Sequence, residues 1–558
     1  MRWCLLTDLR RPGAWLVLAL AAVTSLPACG LLTSGPDHTY YISASGDDSA
    51  AGTSPSTAWR TLKRADAARF RAGDRLLLRG GDRFIGQLRL GSNDAGKPRN
   101  PVTIGSYGSG RATIIGARRS AIVVVDTAGV DIGNLVLVGG HSSGTGSAGI
   151  QLFSDRPAKH RLRHIVIRAV DASGFETGIS IGARNPGAGF AGVRISDCAL
   201  HGNLDAGLAS YGPRFDRAAP SYAHADIRIV RVSAYRNLGD PANAQSNTGN
   251  GIVLGSVRDA QVTWSTAADN GGDNAAPNEG PIGIWAYDSS GVVIQHDLSY
   301  GNRSASRRDG GGFGLDQNTS GSWMQYNLSY GNAGGGYQVY SPNGAANTGN
   351  VVRFNISSGD ALRTINASGI IVAGRVSRAA VYQNTMIMGP QAGIPHSALW
   401  LGAVSGVTAR NNLFVVEHPG PVVIALHAMP RSAAMLQGND YFTTAPRWQL
   451  LWGLGSSYAS LRSWRAATGQ ERVGGRATGL AVNPRLAGPV LGLASTSATN
   501  TGKGAGFVPL SGSPVVRAGL DLRRLFHMSP GRVGFSGRPL PAVEPNIGAL
   551  TGTSPPRS

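Results

Sequence analysis

Between residues 269 and 316 the chain gathers its densest set of ionisable side chains: Asp269, Asp273, Glu279, Asp288, Arg307, Arg308, Asp309 and Asp316. Hydrolysis of an acetal needs two facing carboxyls, one protonated and one ionised. They stand about 5 to 5.5 Å apart for retention and about 6.5 to 9.5 Å apart for inversion. Glu279 with Asp309 or Asp316 meets that need if the fold brings them together, and Arg308 would lower the pKa of whichever carboxyl it touches. A plainer role for Asp309 is to cap the turn at Gly310-Gly311-Gly312, and for Asp316 to end the strand that follows.

The elements that must position these groups are short strands. Gly is abundant at 79 residues, aromatics are 7% and hydrophobic residues 42%, which supplies core material cut by frequent turns. From about residue 120 to 440 one pattern repeats: an alternating strand, a polar corner, a Gly, then a second alternating strand. Its marker is an asparagine, at Asn203, Asn237, Asn270, Asn302 and Asn332, with spacings of 34, 33, 32 and 30 residues. A period that drifts this little accepts loop insertions at one corner while the strands keep register. The apolar runs alternate with a period of two, as in Val292-Val293-Ile294-Gln295-His296, which argues against helical repeats. Stacked asparagines can satisfy backbone groups that a corner would otherwise bury unpaired.

Each second strand opens with Gly and an inward apolar residue: Gly178-Ile179, Gly251-Ile252, Gly283-Ile284, Gly312-Phe313, Gly336-Tyr337 and Gly369-Ile370. Alternation then places Trp285, Tyr287, Asp316, Gln338 and Tyr340 on the outside of three consecutive coils. These form a strip for several sugar rings, with Trp285, Tyr287, Gln338 and Tyr340 as substrate-binding residues beside catalytic Asp316, Asp309, Glu279 and Arg308.

The net charge of +20 arises from 52 basic and 32 acidic residues, and only four of the basic ones are lysines. Such a field suits an anionic partner, an acidic polysaccharide or a membrane surface. No nucleic-acid motif accompanies it. Cys4, Cys29 and Cys198 are too few for a disulfide framework or a cysteine-rich zinc site. The histidines, among them His164, His201, His224, His296, His396, His418 and His427, lack the i, i+4 spacing of a helical zinc site, and no nucleophile elbow is present. Arg2, Arg10 and Arg11, then an apolar stretch from Ala14 to Val23, read as a signal peptide too short to span a bilayer. Leu26-Pro27-Ala28-Cys29 resembles a bacterial lipobox, which makes Cys29 a lipidation site and anchor to the cell envelope.

Three stretches carry a family resemblance. Tyr40-Tyr41-Ile42-Ser43, Gly52-Thr53, Trp59-Arg60-Thr61-Leu62 and Gly73-Asp74-Arg75-Leu76 resemble the N-terminal cap of bacterial pectate-lyase-like β-helix proteins. Gly280-Pro281-Ile282-Gly283-Ile284-Trp285 and Asp309-Gly310-Gly311-Gly312-Phe313-Gly314-Leu315-Asp316 are similar to the repeats of one branch of that superfamily. Trp464, Ser511-Gly512-Ser513-Pro514 and Asn546-Ile547-Gly548-Ala549 resemble its closing segment. The chain departs from the pattern at Gly314 and Asn546, where Asp is usual, and the first leaves one carboxylate fewer in the groove.

The resemblance implies an all-β, right-handed parallel β-helix with an N-terminal cap and a loop-rich C-terminal closure. It also implies activity on polysaccharide, with hydrolysis, uronate elimination or epimerisation, and non-catalytic binding all represented. Elimination in this superfamily uses Lys or Arg as base and often Ca²⁺. No lysine lies between residues 160 and 500, so the base would be Arg307, Arg308 or Arg363, and arginine is hard to deprotonate. Asp269, Asp273 and Asn274 are the candidate Ca²⁺ ligands, against the reading of a solvated loop. We expect a signal peptide over 1–28, a tether over 29–38, cap and first coils over 39–115, the main helix over 116–440 and closure over 441–558. A monomeric, exported glycoside hydrolase is the leading expectation, ahead of a lyase or epimerase and of a surface polysaccharide-binding protein.

Overall fold

The computed structural model describes residues 37–554, except residues 95, 158–159, 366, 391–395, 489–504 and 542. Short alternating strands cannot bury both faces within one hairpin, so they coil and stack. The result is a right-handed parallel β-helix. One face is a 14-stranded sheet running from Leu88–Leu90 to Leu450–Trp452 and closed by Ser457–Tyr458; the other face is a 25-stranded sheet that takes two strands from most coils. Strands of the coils pair in parallel with their equivalents one coil on, only the closing Ser457–Tyr458 pairing antiparallel in this sheet, so Ile252, Ile284, Phe313, Tyr337, Ile370 and Leu399 fall in one file. All six side chains are buried, and Phe313 stacks on Tyr337 with centroids 5.2 Å apart.

The expected asparagine row is present. Nδ2 of Asn203 donates to Oδ1 of Asn237 (2.9 Å), Asn237 to Asn270 (3.0 Å), Asn270 to Asn302 (2.9 Å) and Asn302 to Asn332 (2.8 Å). It ends on the carboxylate of Asp360, 2.8 Å from Asn332 Nδ2. This row explains the repeated glycines. A Cβ on Gly283 would meet Ser299 Oγ at 2.1 Å and Asn302 Nδ2 at 2.9 Å, and one on Gly312 would meet Ser329 Oγ at 2.3 Å.

A second row at the other corner of the larger sheet escaped the sequence reading. Asn327, Asn355, Asn384, Asn412 and Asn439 bond in series and end on Glu471, 2.8 Å from Asn439 Nδ2. Both rows follow a residue in the left-handed region. In the first these are Gly202, Arg236, Asp269, Gly301 and Gly331; in the second, Tyr326, Phe354, Gln383, Asn411 and Gly438, and at the same corner of the two preceding coils Trp264 and His296 stand before Ser265 and Asp297. A non-glycine residue there costs about 1 kcal/mol or more. The four rings offset it by stacking at 4.5, 5.1 and 5.4 Å between successive centroids.

Open ends of a parallel stack would template further strands, and here each is covered. Helix Leu62–Asp66, capped by Thr61 Oγ1, lies beside buried Trp59 at the start. Helix Leu461–Thr468, capped by Ser460 and closed by left-handed Gly469, sets fully buried Trp464 against Tyr441 and Trp452 at the end. The segment from Leu520 then returns along the outside of the larger sheet, where Leu522 packs on Tyr326, Phe354 and Tyr382. Arg353 ties it down through the carbonyls of Ser529 and Pro530. Cys198 is a buried core residue whose thiol burial pushes up to about 12. Cys29 and the expected signal peptide lie outside the described residues.

Candidate active site

The outward positions of the 14-stranded sheet make the floor of the site. In register across five coils stand Trp285, Gly314, Gln338, Ile371 and Trp400. One outward position further along the same strands lie Tyr287, Asp316 and Tyr340, all half-buried.

Asp309 reaches the floor from the turn before its strand, in the left-handed region at φ 49°. Its Oδ2 accepts from the amide of Gly280, 3.0 Å away on the preceding coil, and its carboxylate also bonds to the side chain of Gln338 on the following one. The approach depends on Gly280, since a Cβ there would stand 2.2 Å from the Arg308 carbonyl oxygen and 2.9 Å from Asp309 Cβ.

Asp309, Arg308, Gln338, Tyr340, Ile371 and Trp400 line a cleft of about 240 Å³. Asp316 is not part of its lining but lies within electrostatic reach of Tyr340 and Asp309, and its Oδ1 accepts from the Gln317 amide at 2.7 Å. Part of its surface stays open, yet protein atoms crowd it on nearly every side.

The electrostatics separate this pair from ordinary surface acids. Burial pushes Asp309 up to about 6, against the Gly280 and Gln338 hydrogen bonds and the Arg308 charge. Burial pushes Asp316 up to about 7, helped by the negative charges of Asp309, Asp288 and Glu279. Asp288 is itself raised by burial and is held by Asn318 Nδ2 at 2.7 Å. Glu279 lies exposed at the rim; its backbone carbonyl anchors the loop by accepting from Asn274 Nδ2 at 3.0 Å. Asp316 is thus the carboxyl that keeps its proton to higher pH, and Asp309 the one that loses it first.

Three expectations need correction. Trp285 is on the outer side of its strand but is only 9% exposed. It packs on Ala206, Val253 and Ile282, and its Nε1–H donates to Asn250 Oδ1 at 3.0 Å. It is a structural side chain and offers no open ring face. Tyr287 lies over Gly255, where a Cβ would meet its ring at 2.4 Å, and burial pushes its hydroxyl up to about 12.

The proposed Ca²⁺ ligands do not converge. Asp269 occupies a left-handed corner equivalent to Gly301 and is exposed, as is Asp273. Asn274 Oδ1, the atom that would bind the ion, accepts from the Thr248 amide at 3.0 Å, and its Nδ2 donates to the carbonyls of Ala276 and Glu279 and to Ser304 Oγ. No group of three His, Cys, Asp or Glu side chains that could hold a metal occurs among the described residues.

Of the expected site residues, the structure brings together Asp309, Asp316, Arg308, Gln338 and Tyr340. Arg307 and Arg363 are exposed and do not line the cleft. Trp400 was missed. Its signal was present in the alternation of Ser397–Leu401, which sets Leu399 inward and Trp400 out.

No family model matches this sequence, and no curated protein matches it. Among solved structures, the GH136 lacto-N-biosidase from Eubacterium ramulus superposes with TM-score 0.46 at 15% identity, over 69% of this chain and 65% of that one. This chain therefore spans about 65% of the biosidase's length. The pectate lyase Pel9A gives 0.44 at 15% identity over 92% and 96% of the two chains. An alginate lyase from Paenibacillus sp. gives 0.35 at 14% over 65% and 99%. At this level of likeness none of these chains assigns a substrate to this one.

Proposed function

We propose that the protein is a carbohydrate-active enzyme, a glycoside hydrolase in which Asp316 donates the proton to the leaving oxygen and Asp309 is the ionised partner. The observation that carries this reading is the coupled pair of carboxyls, pushed to about 6 and about 7, beside a cleft floored by Trp400, Tyr340 and Gln338. An acid must hold its proton at working pH and yet be able to lose it, and Asp316 does both. A sugar ring would stack on Trp400 and Tyr340, while Arg308 and Gln338 bond its hydroxyls.

Elimination is the weaker alternative. Of its candidate bases only Arg308 lines the cleft, and a guanidinium is a poor base because arginine is hard to deprotonate. The reading includes export and anchoring through Cys29, which would set the site to work on envelope or extracellular polysaccharide.

The test is to incubate the purified protein with a panel of acidic and neutral glycans while following reducing ends and the ultraviolet absorbance of an unsaturated uronate together. Reducing ends without that absorbance support hydrolysis. Both signals together would show elimination, and binding with neither would show a non-catalytic protein.

A further inference from the structure

On the far side of Asp316 lies a second, larger cleft of about 830 Å³. Its outer wall is the loop 212–222, which leaves one of the 14 strands after Tyr211 and leans over the ends of strands belonging to later coils. Arg214, Phe215 and Arg217 face Asp288, Gln317, Asn318 and the turn 342–345 across it. The loop is built to hold this position. Tyr222 and Ala223 carbonyls accept from Arg161 at 2.6 and 3.0 Å, Asp216 Oδ1 caps the Ala218 amide at 2.9 Å, and Phe215 packs on Tyr222 with centroids 5.9 Å apart.

The two clefts meet along one line. Tyr340 lines the first and Pro342 the second; Gln317, in the second, donates its amide to Asp316. Planar donors and acceptors beside an aromatic ring are the groups that recognise vicinal hydroxyls and the apolar face of a sugar. Arg214 and Arg217 are exposed, and neither forms a salt bridge among the described residues.

We propose that this cleft is a second sugar-binding site, so that one oligosaccharide crosses the sheet obliquely from Trp400, over Asp316, to Phe215. The inference rests on the hydrolase reading for the bond at Asp316, and it assigns the enzyme chains long enough to fill both clefts, cut at an internal bond.

The test uses size-fractionated oligosaccharides, from disaccharides to decasaccharides of each panel glycan, titrated calorimetrically into the Asp316→Asn protein. Affinity should rise by about tenfold or more once chains outgrow the Trp400 cleft, and Phe215→Ala in the same background should remove that rise. The doubly substituted Arg214→Ala, Arg217→Ala protein repeats the test at exposed positions without disturbing loop packing. An equal rise with length in parent and loop variants, or no rise in any, overturns the second site. Length-dependent binding through Phe215 without cleavage by the native protein would sink the hydrolase reading and leave the second site standing. Cleavage that is indifferent to the loop does the reverse.

Discussion

The indole Nε1–H of Trp285 donates to Oδ1 of Asn250, 3.0 Å away on the preceding coil, and the same oxygen accepts from the amide of Ile282. That contact turns an outward tryptophan from a ligand platform into packing. It also clarifies Gly314, beside Trp285 in register: a Cβ there would stand 3.2 Å from Trp285 Cβ and 3.1 Å from Ile282 Cδ1. The residue that departs from the superfamily pattern is the one that gives this cluster its room.

The two tryptophans should therefore fail differently. Trp285→Ala leaves a void and removes one of the two hydrogen bonds to Asn250 Oδ1, and should cost about 3 kcal/mol of stability by denaturant unfolding. Trp400→Ala should leave the unfolding midpoint unchanged and raise KM for the cleaved glycan by about tenfold, as loss of a stacking surface does. Reversed outcomes would place Trp285 in the ligand path.

Activity should follow a narrow bell in pH. It needs Asp309 ionised and Asp316 protonated, so it falls below about 6 and above about 7. Asp316→Asn should lower kcat by about 10²-fold or more and remove the alkaline limb from what remains. A native profile flat through neutrality would count against the pair.

The same carboxyl sets a stability test. Folded Asp316 holds its proton more tightly than the unfolded chain, so its favourable contribution is complete below the unfolded value of about 4. That contribution is lost as pH rises through about 7. Asp316→Asn has no such loss, and its melting temperature relative to the native protein should climb between those two values. A constant difference would mean that Asp316 is not crowded as the structure shows.

Asn302→Leu removes one rung of the first row: the backbone N–H of Asn270 loses its acceptor, and Asn270 Nδ2 and Asn332 Oδ1 lose one bond each. Stability should fall by about 1 to 3 kcal/mol in chemical denaturation, with KM unchanged. Loss of binding at unchanged stability would move Asn302 into the groove.

Cys29→Ser should shift the protein from membranes to the soluble fraction of cells that express it, because two acyl chains are what hold such an anchor. Unchanged partitioning would reject the lipid anchor.

The sequence by itself determined the coil. Inward and outward positions follow from a period of two, and the spacing of Asn203 to Asn332 set the register that the hydrogen bonds confirm. The second row was as regular, yet four of its five left-handed corners lack the glycine that announces one; at Tyr326 and Phe354, as at Trp264 and His296 on the coils before, stacked rings support the corner instead. Only the tertiary structure decided which outward residues are open. Alternation assigns a side to Trp285 and Trp400 alike, but exposure depends on neighbours one coil away: Asn250 and Val253 fold one down, while the other lines the cleft. The raised values of Asp309 and Asp316 were likewise out of reach of spacing. Their protons are set by how many atoms and charges surround each carboxyl, and those come from the coils stacked on either side.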